Sequence, residues 1–265
     1  MVDVHCHLNF KAFEDDLDDA IKKAQDAGVE IIINTGTSLE SSLKAVELAN
    51  KYDHLYAIVG IHPHHADKVQ SGWEKELKKL AQNKKVVGIG EIGLDYYSYK
   101  SNGIVDPKLQ KNVFQTQIQM ASELKLPLQI HNRHAGEDII EILNSHKNLL
   151  KNPIPGMFHC FAGNLDTLQK ALNLGFYIGF DGNITYKGLA PGETVSLSEL
   201  CKNTPLERIV IETDAPFLTP EPYRSGRNEP SYVIITGAKI AEIKAISKKD
   251  LDSITTQNAK QIFNI

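Results

Sequence analysis

Two apolar patterns alternate along the chain. Short continuous apolar runs such as EIIINT (30–35) and RIVIE (208–212) stand between polar or turn residues, as strands covered on both faces do. Between them, apolar residues recur three and four apart, as at Leu17, Ala20, Ile21 and Ala24, which is the spacing of one helical face. The pattern predicts strands over 1–5, 30–35, 55–61, 86–90, 128–131, 156–160, 176–180 and 208–212. It predicts helices over 11–27, 38–51, 72–82, 106–124, 135–146, 165–174, 195–201, 231–243 and 248–263. Thr37 or Ser38 is placed to cap the second helix, and Pro107 suits the first turn of the fourth. Strict strand–helix alternation argues for a parallel sheet. Eight such units in 265 residues match a (β/α)8 TIM barrel; an open doubly wound sheet is the alternative, usually with fewer strands. No composition shift, repeat or low-complexity segment divides the chain, so 1–265 reads as a single domain. The longest irregular stretches, 96–105, 181–194 and 217–230, all follow strands and are expected on one rim.

The net charge of −4 gives no general basic field, so a phosphodiester substrate would have to be held by metal ions and a few local Arg or Lys side chains. Three cysteines, Cys6, Cys160 and Cys201, are too few and too odd for a disulfide framework and fit a reducing compartment. The first residues run straight into a strand, and no apolar run reaches the ~18–20 residues of a spanning helix. A soluble cytoplasmic monomer with no membrane contact is expected.

The chemistry gathers at strand ends. In GIGEIGLDYY (88–97), Glu91 sits where an apolar strand should finish. An uncompensated buried carboxylate is costly, so a cation is expected beside it. In DVHCH (3–7), His5 and His7 are two apart and share a face; paired imidazoles suit Zn²⁺, Mn²⁺ or Fe²⁺. The event repeats at His62, His131, His159 and Glu212-Thr213-Asp214. Barrel strands end on one funnel. His5, His7 and Asp214 would then surround one ion, His131 and His159 a second, with Glu91 bridging ions ~3.5–4 Å apart.

Several neighbours carry expectations. His62 should enter the funnel toward a phosphate or a metal-bound water, with strand capping as the alternative, while His64 and His65 should be solvated. Asp3 should accept an imidazole N–H, and Asp95 should orient a cationic side chain or make a loop turn. Arg133 can reach a phosphate, and Arg227 and Glu229 can pair to brace their loop. Lys187, Tyr96 and Tyr97 can line the mouth, where aromatic faces stack on bases. Cys6 and Cys160 alternate away from the ligands and read as packing.

The segments DVHCHL, GIHPH, GEIGLDYY, QIHNRHA, FHCFAG, ETDAPFLTP and RNEP run in order from Asp3 to Pro230. Together they resemble the TatD-like metal-dependent deoxyribonucleases of the amidohydrolase superfamily. GEIGLDYY and ETDAPFLTP are specific to that family; HxH is shared across the superfamily. The resemblance implies metal ligands at His5, His7, Glu91, His131, His159 and Asp214; beside it, the residues themselves suggest catalytic roles for Glu91 and Asp214 and place His62 and Arg133 toward the substrate. It implies two divalent ions, Mg²⁺ or Mn²⁺ in use and Zn²⁺ a further candidate. It also implies an exonuclease-type DNase acting on single-stranded DNA or DNA ends through a two-metal-activated hydroxide. An ester or amide hydrolase on the same site, such as a D-aminoacyl-tRNA deacylase, is the alternative, and a non-catalytic metal- or nucleic-acid-binding barrel is the third reading. The sequence departs from the family at Ala162, where Ser is usual. It departs again in 181–194, a longer loop with Asp181 in place of a small residue, which bears on substrate preference.

Overall fold

Each apolar run pairs with the next in the chain. The computed structural model describes residues 1–100, 103–150 and 154–265. Its strands are β1 (Val2–Cys6), β2 (Ile31–Thr35), β3 (Leu55–Val59), β4 (Val86–Asp95), β5 (Leu128–Arg133), β6 (Gly156–Phe158), β7 (Tyr177–Phe180) and β8 (Ile209–Ile211). They form one parallel sheet in sequence order. The sheet curls until its edges meet. Asp214 N donates to His5 O at 3.0 Å and His7 N to Ala215 O at 2.7 Å, on either side of a parallel bridge between Cys6 and Ala215. The result is a nearly closed (β/α)8 TIM barrel, as the alternation predicts.

Outside run α1 (Leu17–Asp26), α2 (Leu39–Lys51), α3 (Trp73–Leu80), α4 (Pro107–Leu124), α5 (Gly136–Ser145), α6 (Leu165–Asn173) and α7 (Leu197–Asn203), then α8 (Val233–Lys244) and α9 (Lys248–Phe263). Ser38 caps α2 by accepting from Ser41 N at 3.2 Å, and Asp106 caps α4 ahead of Pro107. Burial falls into two layers. Ile32, Ala57, Ile89, Leu128 and Phe158 face the helices. Val4, Ile33, Ile58, Val87, Met157 and Val210 fill the barrel, whose floor is closed by Ile262 and Phe263 of α9. The two layers arise because successive strand residues point to opposite faces. No described helix is long and apolar enough to cross a membrane.

Several boundaries differ from expectation: β5 ends at Arg133 and not 131, β6 ends at Phe158 and not 160, and α7 lies two residues later than expected. The helix expected over 11–27 divides into a 3-10 turn, Lys11–Phe13, and α1. Asp16, between them, is held by both guanidinium nitrogens of Arg227 at 2.7 and 2.6 Å. That ion pair replaces the expected Arg227–Glu229 pair; Glu229 instead accepts from Ser231 Oγ at 2.7 Å and lies 3.4 Å from Lys23 Nζ. β3 stops at Val59, short of the expected 61. β4 runs five residues past Gly90, because Gly93, Leu94 and Asp95 stay in register with His131, Asn132 and Arg133 of β5. Gly93 permits this: its φ is +138°, and a Cβ there would lie 2.0 Å from His131 O. The stretches 181–194 and 217–230 follow β7 and β8 as expected; 96–105 includes 101–102, which lie outside the described residues.

Candidate metal centre

The end of β1 places two imidazoles in the funnel, and their hydrogen bonds fix which nitrogen is free. His5 Nδ1 lies 2.7 Å from Gln129 Oε1, and His7 Nδ1 lies 2.9 Å from Thr35 O. Both partners only accept, so both Nδ1 atoms carry the hydrogen and both Nε2 atoms keep a lone pair. Those two Nε2 atoms face each other at 3.1 Å. Asp214 Oδ1 is 3.4 Å from each, and Glu91 Oε2 is 3.7 Å from His5 and 3.6 Å from His7. Four acceptor atoms converge with no hydrogen to share. Donors bound to one ion at ~2.1 Å lie ~3.0–3.4 Å from one another. The donor set therefore fits a divalent cation.

A second set stands across Glu91. Glu91 Oε1 is 2.8 Å from His131 Nδ1 and 2.8 Å from His159 Nε2, and those nitrogens are 3.2 Å apart. His131 Nε2 lies 3.2 Å from Asp95 Oδ2, so its hydrogen points there and its Nδ1 lone pair faces Glu91. One oxygen of Glu91 thus turns to each set.

His62 differs in kind. Its Nδ1 accepts from His64 N at 3.1 Å, so its Nε2 carries the hydrogen and approaches Glu91 Oε1 at 3.3 Å. It brings an N–H to the funnel, not a lone pair. His62, Asp95 and His131 also lie within 4.8 Å of one another, but the His62 lone pair is taken by His64 N and His131 turns its N–H, not its lone pair, toward Asp95. His5, His159 and Glu212 form another close group. There Glu212 is engaged by Cys160 N, while Glu212 Oε2 and His159 Nδ1 have no hydrogen-bond partner among the described residues.

Electrostatics keep the carboxylates of the site ionised. Burial alone would raise Glu91, Asp95 and Asp214, yet surrounding imidazoles outweigh it and hold all three well below the usual carboxylate range. Burial pushes His5 and His62 down to about 4. Burial opposes charge on His131 too, but Asp95 and Glu91 raise it to about 9. Burial also lifts Asp3 and Asp181 to about 7.

The other expected residues fall as follows. Asp3 does not meet an imidazole; it accepts from His5 N at 3.3 Å and from Thr213 N and Oγ1 at 3.0 and 2.6 Å, tying β1 to the turn after β8. Asp95 is buried on β4 rather than in a loop, and it orients imidazoles, not an Arg or Lys side chain. His64 and His65 are not free in solvent: His64 Nε2 lies 2.9 Å from Asp95 Oδ2, and His65 Nδ1 lies 2.7 Å from Thr37 O. Arg133 stands on the rim, 4.1 Å over the Tyr97 ring, donating to Tyr99 Oη at 2.7 Å. Tyr99 Oη in turn donates to Asp95 Oδ2 at 3.0 Å. Tyr96 bonds Asp138 at 2.5 Å instead of facing the mouth freely. Cys6 is fully buried and Cys160 partly buried. Sequence reasoning passed over Gln129, Tyr99, Phe10 and Phe217. For Gln129 the signal was there: a polar residue within the apolar run LQI of β5.

A family model described as TatD related DNase matches residues 2–264. The chain is 39% identical over 266 residues to the uncharacterized metal-dependent hydrolase YabD of Bacillus subtilis, covering 100% of this chain and 99% of that protein. It is 34% identical over 272 residues to the 3'-5' ssDNA/RNA exonuclease TatD of Salmonella typhimurium, covering 100% and 99%. Among solved structures it resembles YJJV, a TatD homolog from Escherichia coli, with a TM-score of 0.89 and 28% identity over 100% of this chain and 98% of that one.

Proposed function

Because this chain belongs to the TatD related DNase family, and is on that ground a metal-dependent hydrolase, we propose that it is an exonuclease taking single-stranded DNA from an end. Two divalent ions would serve it, one held by His5, His7 and Asp214, the other by His131 and His159, with Glu91 between. The observation that carries the reading is Glu91, whose two oxygens face two separate groups of imidazoles. The likeness to an exonuclease named for ssDNA and RNA supports the substrate.

Ions held there supply Lewis acidity to a phosphoryl oxygen and lower the pKa of water. The chain's own groups do the rest. Gln129 and Thr35 O aim the His5 and His7 lone pairs inward, and Asp95 aims that of His131. The Asp214 side chain keeps 13% exposure, against 0% for His5 and 5% for Glu91. It is the carboxylate open to water and the group we assign to take the proton from the attacking water. His62 contributes its N–H, first to Glu91 and then to a phosphate oxygen. Arg133, pre-oriented by Tyr97 and Tyr99, offers its guanidinium to a phosphate of the bound strand.

The test strips the metal and reloads Mg²⁺, Mn²⁺ or Zn²⁺ singly, with end-labelled single-stranded DNA as substrate. Stepwise loss of nucleotides, dependent on metal and absent in Glu91→Gln, is expected. Two bound ions without cleavage of DNA, but with hydrolysis of a D-aminoacyl-tRNA, would replace the phosphodiester with a carboxylic ester.

A further inference from the structure

Phe217 is 51% exposed at the rim, three residues after Asp214. Its backbone is not loose. Phe217 N donates to Asp214 O at 2.8 Å, and Asn228 Nδ2, fully buried, donates to Phe217 O at 2.5 Å and Thr213 O at 2.7 Å. The chain therefore fixes a bare phenyl ring where burial would ordinarily be favoured. Phe10 lies beside it, ring centroids 6.2 Å apart and planes at 74°. Phe10 also stacks on His7 at 4.4 Å and 11°, and Phe217 sits 6.2 Å from the same imidazole. The two rings make a right-angled apolar corner whose inner wall is a member of the first donor set.

Resting on the exonuclease reading, we propose that the Phe10–Phe217 corner is a nucleobase subsite, which receives the base one sugar away from the scissile phosphate. A phosphate beside His7 and Asp214 carries its nucleoside toward this corner. A stacked aromatic face accepts any base, so it grips without reading sequence. It also requires a base that is not stacked in a duplex, so it selects the unpaired end of a strand. Arg133 and Tyr97, beside the His131 set, occupy a separate part of the rim and leave this corner to the base. Phe217 is thus a positioning residue for the substrate.

The test pairs a single-stranded oligodeoxynucleotide with the same oligonucleotide carrying abasic tetrahydrofuran residues at its ends. Wild-type kcat/KM should be about 10-fold lower on the abasic substrate. Phe217→Ala should lose the same factor on the normal substrate and nothing on the abasic one, and Phe217→Trp should restore the preference. Fluorescence anisotropy in an Asp214→Asn background, where no turnover intervenes, should show the same split in Kd. Equal handling of both substrates by the wild type, or an equal loss on both from Phe217→Ala, would overturn the subsite while leaving the nuclease intact. No cleavage of either by the metal-loaded wild type would instead remove the nuclease reading, and the subsite with it.

Discussion

The Nε2 atoms of His5 and His7 face each other at 3.1 Å, each ring having already given its hydrogen to Gln129 or Thr35 on its far side. Lone pair opposes lone pair, and Asp214 adds a third at 3.4 Å. With both rings neutral, this contact is repulsive unless a cation lies between them. Saturating Mn²⁺ or Zn²⁺, at a hundred times its Kd, should stabilise the fold by ~2.7 kcal/mol. For a chain of this size that raises Tm by roughly 5–10 °C. His5→Ala should remove most of the rise. Differential scanning with and without chelator checks this, and a Tm indifferent to every divalent ion would count against the site.

Glu91→Gln is expected to lower turnover by ~10³-fold or more, because ion binding and transition-state charge both depend on that carboxylate. Bound metal per chain, measured by mass spectrometry, should fall below two while circular dichroism stays unchanged. Normal metal content with normal turnover would exclude Glu91 as the bridge.

The groups behind the donors should matter almost as much. Asp95→Asn should weaken metal affinity ~10–100-fold through His131. Gln129→Leu should do the same through His5, and it strands a buried N–H at a further cost of ~1–3 kcal/mol in stability. Metal titrations by calorimetry and urea unfolding separate the two effects: Asp95→Asn should move mainly the first.

Stability of the metal-free protein should decline in alkaline solution. Burial lifts Asp3 and Asp181 to about 7, and Asp95 with Glu91, against burial, raises His131 from 6.5 to about 9. A raised group keeps its proton in the native state after the unfolded chain has lost it, so stability falls as pH climbs toward the folded value. His5 and His62 act oppositely: burial lowers them from 6.5 to about 4, and their contribution rises with pH across that window. Below pH 6.5 the two sets oppose each other; between 6.5 and 9 only losses remain. Thermal scans in chelator should show Tm dropping across pH 6.5–9, and Mn²⁺ should flatten the slope. A Tm that rises with pH in chelator would contradict this account.

Arg133→Ala should raise KM for single-stranded DNA ~10–100-fold, the worth of a charge-assisted hydrogen bond, and leave metal content unchanged. Arg133→Lys should recover only part, since the stacking on Tyr97 needs a planar guanidinium. A pure kcat effect would place Arg133 in the support of His131, through Tyr99 and Asp95.

The ligand candidates were legible because a lone His, Glu or Asp at the end of an apolar strand stands out against its neighbours. The barrel was legible for a related reason, the eightfold alternation of two periods. What supports the donors was harder to see. Asp95 looked like a loop residue because the strand was expected to end at Gly90, before the charged Glu91; only pairing with β5 shows that it continues. Arg227 was matched to the nearby Glu229, but its partner Asp16 is 211 positions away, a relation that local spacing does not record. Asp3 shares a face with His5 and so suggested an imidazole partner; closure of the barrel brings Thr213 to it first.

The seam between β8 and β1 also sets when the molecule can act. Asp3 and Thr213, 210 positions apart, are bonded across it. His5 and His7 stand on one side of the seam and Asp214 on the other. During synthesis the two histidines leave the ribosome early and wait for nearly the whole chain before their carboxylate arrives. An ion held there acts as a clasp on a finished barrel. A partly made chain has half a clasp, and the donor set stays open until the last strand docks.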